Sequence, residues 1–149
     1  MPGWELYIYK LAKIWIMGSF EEKLSILSQM IAFAQVDHSI KASEYGFLLE
    51  VASQLGVDRE TFEGLLRERS KTVPLKSQGE RIVQFHRLLL LMNIDREQHQ
   101  KELDALFNIG LRMGLPPAAM SQVLEVMHHY PDKLVPADVL IDIFRAHYN

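Results

Sequence analysis

The 149 residues contain no cysteine. That absence removes disulfides, thiolate nucleophiles, zinc–thiolate sites and iron–sulfur clusters together, so any metal here would need oxygen or imidazole ligands. Long apolar runs are missing as well. The longest aliphatic run, Leu88 to Met92, falls far short of the roughly 18 residues of a membrane span. An excess of positive charge is also absent: the formal net charge is −3 and the pI about 6.1. Such a chain lacks the broad positive field with which nonspecific nucleic-acid binders displace counterions, so no nucleic-acid partner is expected. No GxSxG elbow, P-loop, HExxH helix or dinucleotide-binding glycine pattern occurs. The expectation is therefore a protein that is not an enzyme.

What is present fits a packed fold. The composition is 48% hydrophobic and 23% charged, close to the globular average and far from the signature of disorder. A chain of 149 residues lies in the range of one domain with one core. The first stretch sets Trp4, Tyr7, Ile8, Leu11, Ile14 and Trp15 at 3- and 4-residue steps, an amphipathic helical pattern over residues 1–16. Three readings stay open for it: a packing helix, an extension ahead of a start at Met17, or an interfacial anchor, which the few basic residues weaken. Glu5, Lys10 and Lys13 interrupt it and no cleavage site follows, so it does not read as a secretory leader, and a cytoplasmic protein is expected.

From Ser19 onward the helix signals become regular. Ser19 with Glu22 has the spacing of a capping box, and the following stripe is Leu24, Leu27, Met30, Ile31 and Ala34. The turn Asp37-His38-Ser39 leads to a second helix with Phe47, Leu48, Val51, Ala52 and Leu55 on its apolar face, stopped by Gly56. Asp58 is an N-cap for a third helix holding Phe62, Leu65 and Leu66. Residues 67–79 turn polar, with Pro74 and Gly79 as breakers, and form the one internal linker. An apolar helix from about residue 80 to Met92 follows, then Asn93-Ile94-Asp95, a helix to Met113 stopped by Gly114, and a helix opened by Pro116-Pro117. A last helix, over about residues 135–147, carries Val139, Leu140, Ile143 and Phe144. No segment alternates like a half-buried strand.

The chain repeats itself at an offset of 58, which relates Asp37 to Asp95, Glu44 to Glu102, Leu48 to Leu106, Gly56 to Gly114 and Leu66 to Leu124 without a gap. Apolar positions between them match too, among them Leu27 with Phe85, Ile31 with Leu89, Val51 with Ile109, Val57 with Leu115 and Phe62 with Met120. Repeat one covers about residues 20–66 and repeat two about 80–124, within a single domain over 17–149. The expected fold is an all-α, compact bundle of about seven or eight helices, its two repeats related by a pseudo-twofold axis because each alone would leave apolar surface uncovered.

An apolar helix, then Asp37-x-x-Ile40-x-x-x-Glu44, an apolar helix and Leu55-Gly56-Val57-Asp58 resembles the TerB-like, tellurite-resistance-associated family. Met92 through Asp95, Glu102 and Met113-Gly114-Leu115 is similar to that family's second copy, and the likeness runs over residues 20–130. The resemblance implies a compact, non-enzymatic helical domain tied to stress or tellurite resistance and to membrane-proximal complexes with protein partners. It also implies a divalent cation on the acidic turn residues, which map onto Asp37, Glu44, Asp95 and Glu102. The chain departs from the pattern at His38 and Arg96, where the family often has Gly after the Asp; Arg96 would repel a nearby cation.

The residues themselves leave two readings of these acids open. Glu44 and Glu102 fall in the first turns of helices, where a carboxylate accepts free N–H groups and opposes the dipole without any ligand. Asp95, His99 and Glu102 stand at i, i+4 and i+7, so they also share a helix face with ligand types that suit a divalent ion. Asp37 with Ser39 has only a faint echo of a calcium loop, since the acidic run and central Gly are missing. His86, among Phe85, Leu88 and Leu89, reads as a hydrogen-bonded packing residue, and His128-His129 as helix-terminal groups. Arg67, Arg69, Lys71, Lys76 and Arg81 give the linker a basic excess over Glu68 and Glu80.

Overall fold

The computed structural model describes residues 19–36, 38–94 and 100–148. The amphipathic segment 1–16 and the turn residues Asp37, Asp95 and His99 lie outside the described residues. Every regular element among the described residues is helical, as expected: α1 (Phe20–Ala34), α2 (Ala42–Gln54), α3 (Arg59–Arg67), α4 (Gln78–Met92), α5 (Gln100–Arg112), α6 (Pro117–Val126) and α7 (Ala137–Ala146), with short 3₁₀ turns at Met127–His129 and Pro131–Lys133. None of these helices is long and apolar enough to cross a membrane.

Helix termini show why the elements start and stop where they do. The first amides of a helix have no partner within it, and here side chains supply one. Ser19 Oγ accepts from the Glu22 amide at 3.1 Å, and Asp58 accepts from the Thr61 amide at 2.7 Å. Hydrogen bonds from the Thr61 side chain and from its amide favour the ionised form and hold the Asp58 carboxyl below the usual carboxylate range. Ser77 Oγ accepts from the Glu80 amide at 3.0 Å while the Glu80 carboxylate receives the Ser77 amide at 3.4 Å, a reciprocal capping box. That box starts α4 at Gln78, ahead of the expected residue 80. Gly79 therefore sits inside the first turn instead of breaking the chain, because a first-turn amide forms no helical hydrogen bond for glycine to weaken.

At the other end, Gly56 and Gly114 have φ of 76° and 80°, a left-handed conformation that glycine enters without a Cβ penalty. Each closes its helix with the same pair of bonds. Gly56 N donates to Ser53 O and Val57 N to Ala52 O; Gly114 N donates to Leu111 O and Leu115 N to Gly110 O, all at 2.8–3.0 Å. This is the Schellman pattern, with Val57 and Leu115 buried as its apolar anchors.

The offset of 58 seen in the sequence is thus a structural register. Phe20–Ala34 and Gln78–Met92 share it at both ends, as do Ala42–Gln54 and Gln100–Arg112, and α3 and α6 share it at their starts. The caps Ser19 and Ser77 follow the same register.

The chain divides into two compact units, Met1–Pro74 and Leu75–Asn149. In the first, α1, α2 and α3 pack on one another. Leu27, Met30, Ile31, Phe47, Leu48, Val51, Ala52 and Phe62 are fully or almost fully buried there, and Tyr45 meets Phe62 edge-on at 5.7 Å. In the second, α5 packs on α4 and α6, and α7 adds a fourth helix against both α4 and α6. Phe85 of α4 meets Phe144 of α7 edge-on at 5.6 Å, and Leu106, Met120, Val123 and Leu140 of this unit are likewise fully or almost fully buried. Gly110 of α5 has no room for a side chain: a Cβ there would run into Met120 Sδ.

Candidate functional site

Glu44 is the third residue of α2 and only 2% exposed. Its Oε1 accepts from the Lys41 amide at 2.9 Å, the structural role open to it from the sequence. His38, half-buried in the turn before the helix, brings its Nδ1 to 3.7 Å from the same oxygen while donating to the Ser39 carbonyl at 2.6 Å. The carbonyl bond fixes the tautomer with hydrogen on Nδ1. A histidine oriented in this way by a carbonyl and a carboxylate is the arrangement that metal-binding imidazoles adopt through their outer nitrogen. An imidazole and a buried carboxylate are also ligand types that suit a divalent cation.

Glu102 occupies the matching place in the first turn of α5 and is equally buried, at 2%. Glu44 belongs to the first unit and Glu102 to the second. The remaining members of the acidic set, Asp37, Asp95 and His99, lie outside the described residues. His38 was singled out in the sequence only as a departure from a pattern. Its proximity to Glu44 depends on how the turn folds back on the helix start, which spacing alone does not reveal.

Three further polar side chains of the second unit are buried. Gln84, His86 and Arg87 of α4 are all buried, although they share a helix with Leu88–Met92. His86 Nε2 donates to the Val135 carbonyl at 3.2 Å, joining α4 to the segment that leads into α7. Burial pushes its pKa down to about 4, Arg87 adds to the fall, and the Val135 bond opposes it. His86 is therefore neutral at pH 7, the hydrogen-bonded packing residue expected of it. Arg87 donates to Gln84 Oε1 at 3.0 Å. Burial pushes its pKa down to about 9, opposed by the Glu80 carboxylate, which still leaves the guanidinium charged at neutral pH. Neither Gln84 nor Arg87 stood out in the sequence, because the helical period places them beside Leu88 and Leu91 without showing that this side of α4 is buried.

The surface offers two further features. A shallow depression of about 470 Å³ lies where α2 turns into α3, lined by Leu49, Glu50, Ser53, Gly56, Val57, Asp58 and Arg59. Its charged members are engaged, Glu50 with Gln54, Asp58 as a cap and Arg59 with Glu63. In the second unit α5 buries Glu102, Leu106 and Gly110 but leaves Leu103, Phe107, Ile109 and Met113 half-covered and Leu111 43% exposed. Of the matching residues of α2, Val51 and Leu55 are in the core and Ser53 stands where α5 has Leu111, while Leu49 is half-covered like Phe107.

Comparison with family models, with curated proteins and with solved structures returns no match.

The buried imidazole gives a pH dependence of defined sign. The folded-state pKa of His86, about 4, lies below the ordinary 6.5, so the unfolded chain takes up the proton first. Its contribution to stability is complete above pH 6.5 and is lost as the pH falls towards 4. Denaturant unfolding should show an acid-side loss of about 2–3 kcal/mol that is absent from His86→Gln, whose amide can still donate to Val135. Identical pH profiles for the two proteins would show that His86 is not held neutral.

Proposed function

We propose that this chain is a TerB-like, non-enzymatic helical module that acts by binding other proteins in the cytoplasm, in a stress or tellurite-resistance setting and at a membrane-proximal position. The observation that carries the binding reading is the apolar surface of α5. An exposed Leu111, with half-covered Phe107 and Leu103 one and two turns before it on the same face, keeps apolar area in water, and contiguous apolar surface of this kind marks interaction sites. The first copy of the same helix carries a more polar stripe, since Ser53 stands in place of the exposed Leu111 and Tyr45 in place of Leu103. Duplication with one copy kept polar and the other apolar is what a one-sided binding module would show. The TerB-like motif around Asp37, Ile40 and Glu44 supports the stress and tellurite setting. Membrane proximity in this reading is peripheral, since no described helix could span a bilayer.

Affinity capture from the native cell with the full chain as bait tests this. Leu111→Glu places a charge on an exposed site, so helix content should be unchanged while specific partners drop at least about tenfold, the scale of one lost interfacial anchor. Equal capture by both baits would remove α5 as the binding surface.

A second reading is a divalent-cation site on the acidic turn residues, Asp37 and Glu44 in the first repeat and Asp95, His99 and Glu102 in the second. It is favoured by His38 standing 3.7 Å from the Glu44 carboxylate. Calorimetric titration with calcium, zinc and manganese separately should show saturable binding that Glu44→Gln abolishes, because the amide oxygen retains the cap but not the charge. Silence with all three ions would dismiss this reading.

A further inference from the structure

The segment after α3 is held in place by helix side chains. The Ser70 amide donates to Ser28 Oγ at 3.1 Å, and Ser70 Oγ lies 3.1 Å from the same oxygen. The Val73 amide donates to Ser25 Oγ at 2.8 Å, and Ser25 Oγ in turn reaches the Val73 carbonyl at 3.4 Å. Arg69 meets Gln35 at the C-terminal end of α1, at 3.2 Å. Ser25 and Ser28 stand one turn apart on α1, and both are buried.

Two buried hydroxyls on α1 call for a reason, since an unbonded one would cost its lost hydration. Their partners here are Ser70 and Val73. The matching positions of α4 are Val83 and His86, so the hydroxyl pair belongs to the first copy, the one that the linker follows. The rest of the segment is lightly held. Lys71 and Thr72 are exposed, and neither amide donates a hydrogen bond among the described residues; Pro74 has no amide to give. Arg67, Arg69, Lys71 and Lys76 crowd positive charge along it, with Glu68 as the opposing carboxylate, and their mutual repulsion favours the detached form.

We propose that Arg69–Val73 is a detachable strap, clasped to α1 by Ser25 and Ser28, which docks and releases while α1, α2 and α3 stay folded. Docked, it covers the two hydroxyls and fixes the path of the chain after α3. Released, it bares Ser25 and Ser28, frees its cations and lengthens the path of chain between α3 and Leu75, which the Arg81 guanidinium holds through its carbonyl at 2.9 Å. Local opening of this kind is expected where few bonds, all from side chains, hold a polar segment.

Residue-resolved amide exchange on the full chain, with limited trypsin digestion beside it, tests the strap. The amides of Ser70 and Val73 should exchange at least about tenfold more slowly than those of Lys71 and Thr72, yet faster than Leu27 and Ile31 within α1. In Ser25→Ala/Ser28→Ala that protection should vanish and cleavage after Lys71 should accelerate about tenfold, with α1 amides still slow. Ser70→Pro removes the donor from the strap and leaves α1 untouched; it should accelerate the same cleavage, and it decides the matter if the double variant fails to fold. Exchange of Ser70 and Val73 only together with α1, exchange as fast as Lys71 in the unaltered chain, or unchanged cleavage in Ser70→Pro would each overturn the proposal.

Discussion

Short helices must satisfy the polar backbone groups at both ends, and the architecture of this chain depends on how it does so. Elements of nine to fifteen residues have a large share of their amides and carbonyls in first and last turns, where no intrahelical partner exists. Ser19, Asp58 and Ser77 close the starts, and Gly56 and Gly114 close the ends. Because the serine caps and the glycine closures recur in one register, they deliver apolar residues to matching places in each copy: Leu27 and Phe85 from the first helix, Leu48 and Leu106 from the second, Phe62 and Met120 from the third.

Within that shared frame the two copies have diverged where they meet their surroundings. Position 28 is a serine that receives the strap, and its counterpart, His86, holds the chain leading to α7 through the Val135 carbonyl. One helical site thus anchors the segment downstream of the third helix in both units, with a hydroxyl in one and an imidazole in the other. Ala52 and Phe62 in the first copy correspond to Gly110 and Met120 in the second; where the partner is the long thioether, the helix gives up its Cβ. Among the described residues a fourth helix, α7, is present in the second unit, and α5 of that unit keeps apolar side chains partly in water.

Much of the fold was legible in the residues because caps and stripes are local signals. Ser19 with Glu22, Asp58, Pro116-Pro117 and the two glycines marked helix ends that the structure shows, and the stripe Phe47, Leu48, Val51, Ala52, Leu55 is buried throughout. The start of α4 was placed too late because Gly79 drew attention from the Ser77 and Glu80 pair, although that pair lies in register with Ser19 and Glu22. The buried Gln84 and Arg87, the Ser25 and Ser28 clasp and the nearness of His38 to Glu44 were not legible. Each depends on where a distant or irregular segment runs, and periodicity carries no information about that. Asp37, Asp95 and His99 lie outside the described residues, so of the acidic set it is Glu44 and Glu102 whose places are known, both buried in first turns.

Equilibrium unfolding of three glycine variants tests the duplicated-terminus account most directly. Gly56→Ala and Gly114→Ala force a Cβ into left-handed backbone and should each cost about 1–2 kcal/mol, by similar amounts in the two copies. Gly46→Ala, inside α2 with nothing within 4 Å of the added carbon, should instead gain roughly 0.5–1 kcal/mol. Equal effects at all three positions, or a loss at one of the two helix ends and none at the other, would contradict the claim that the same backbone closure builds both copies.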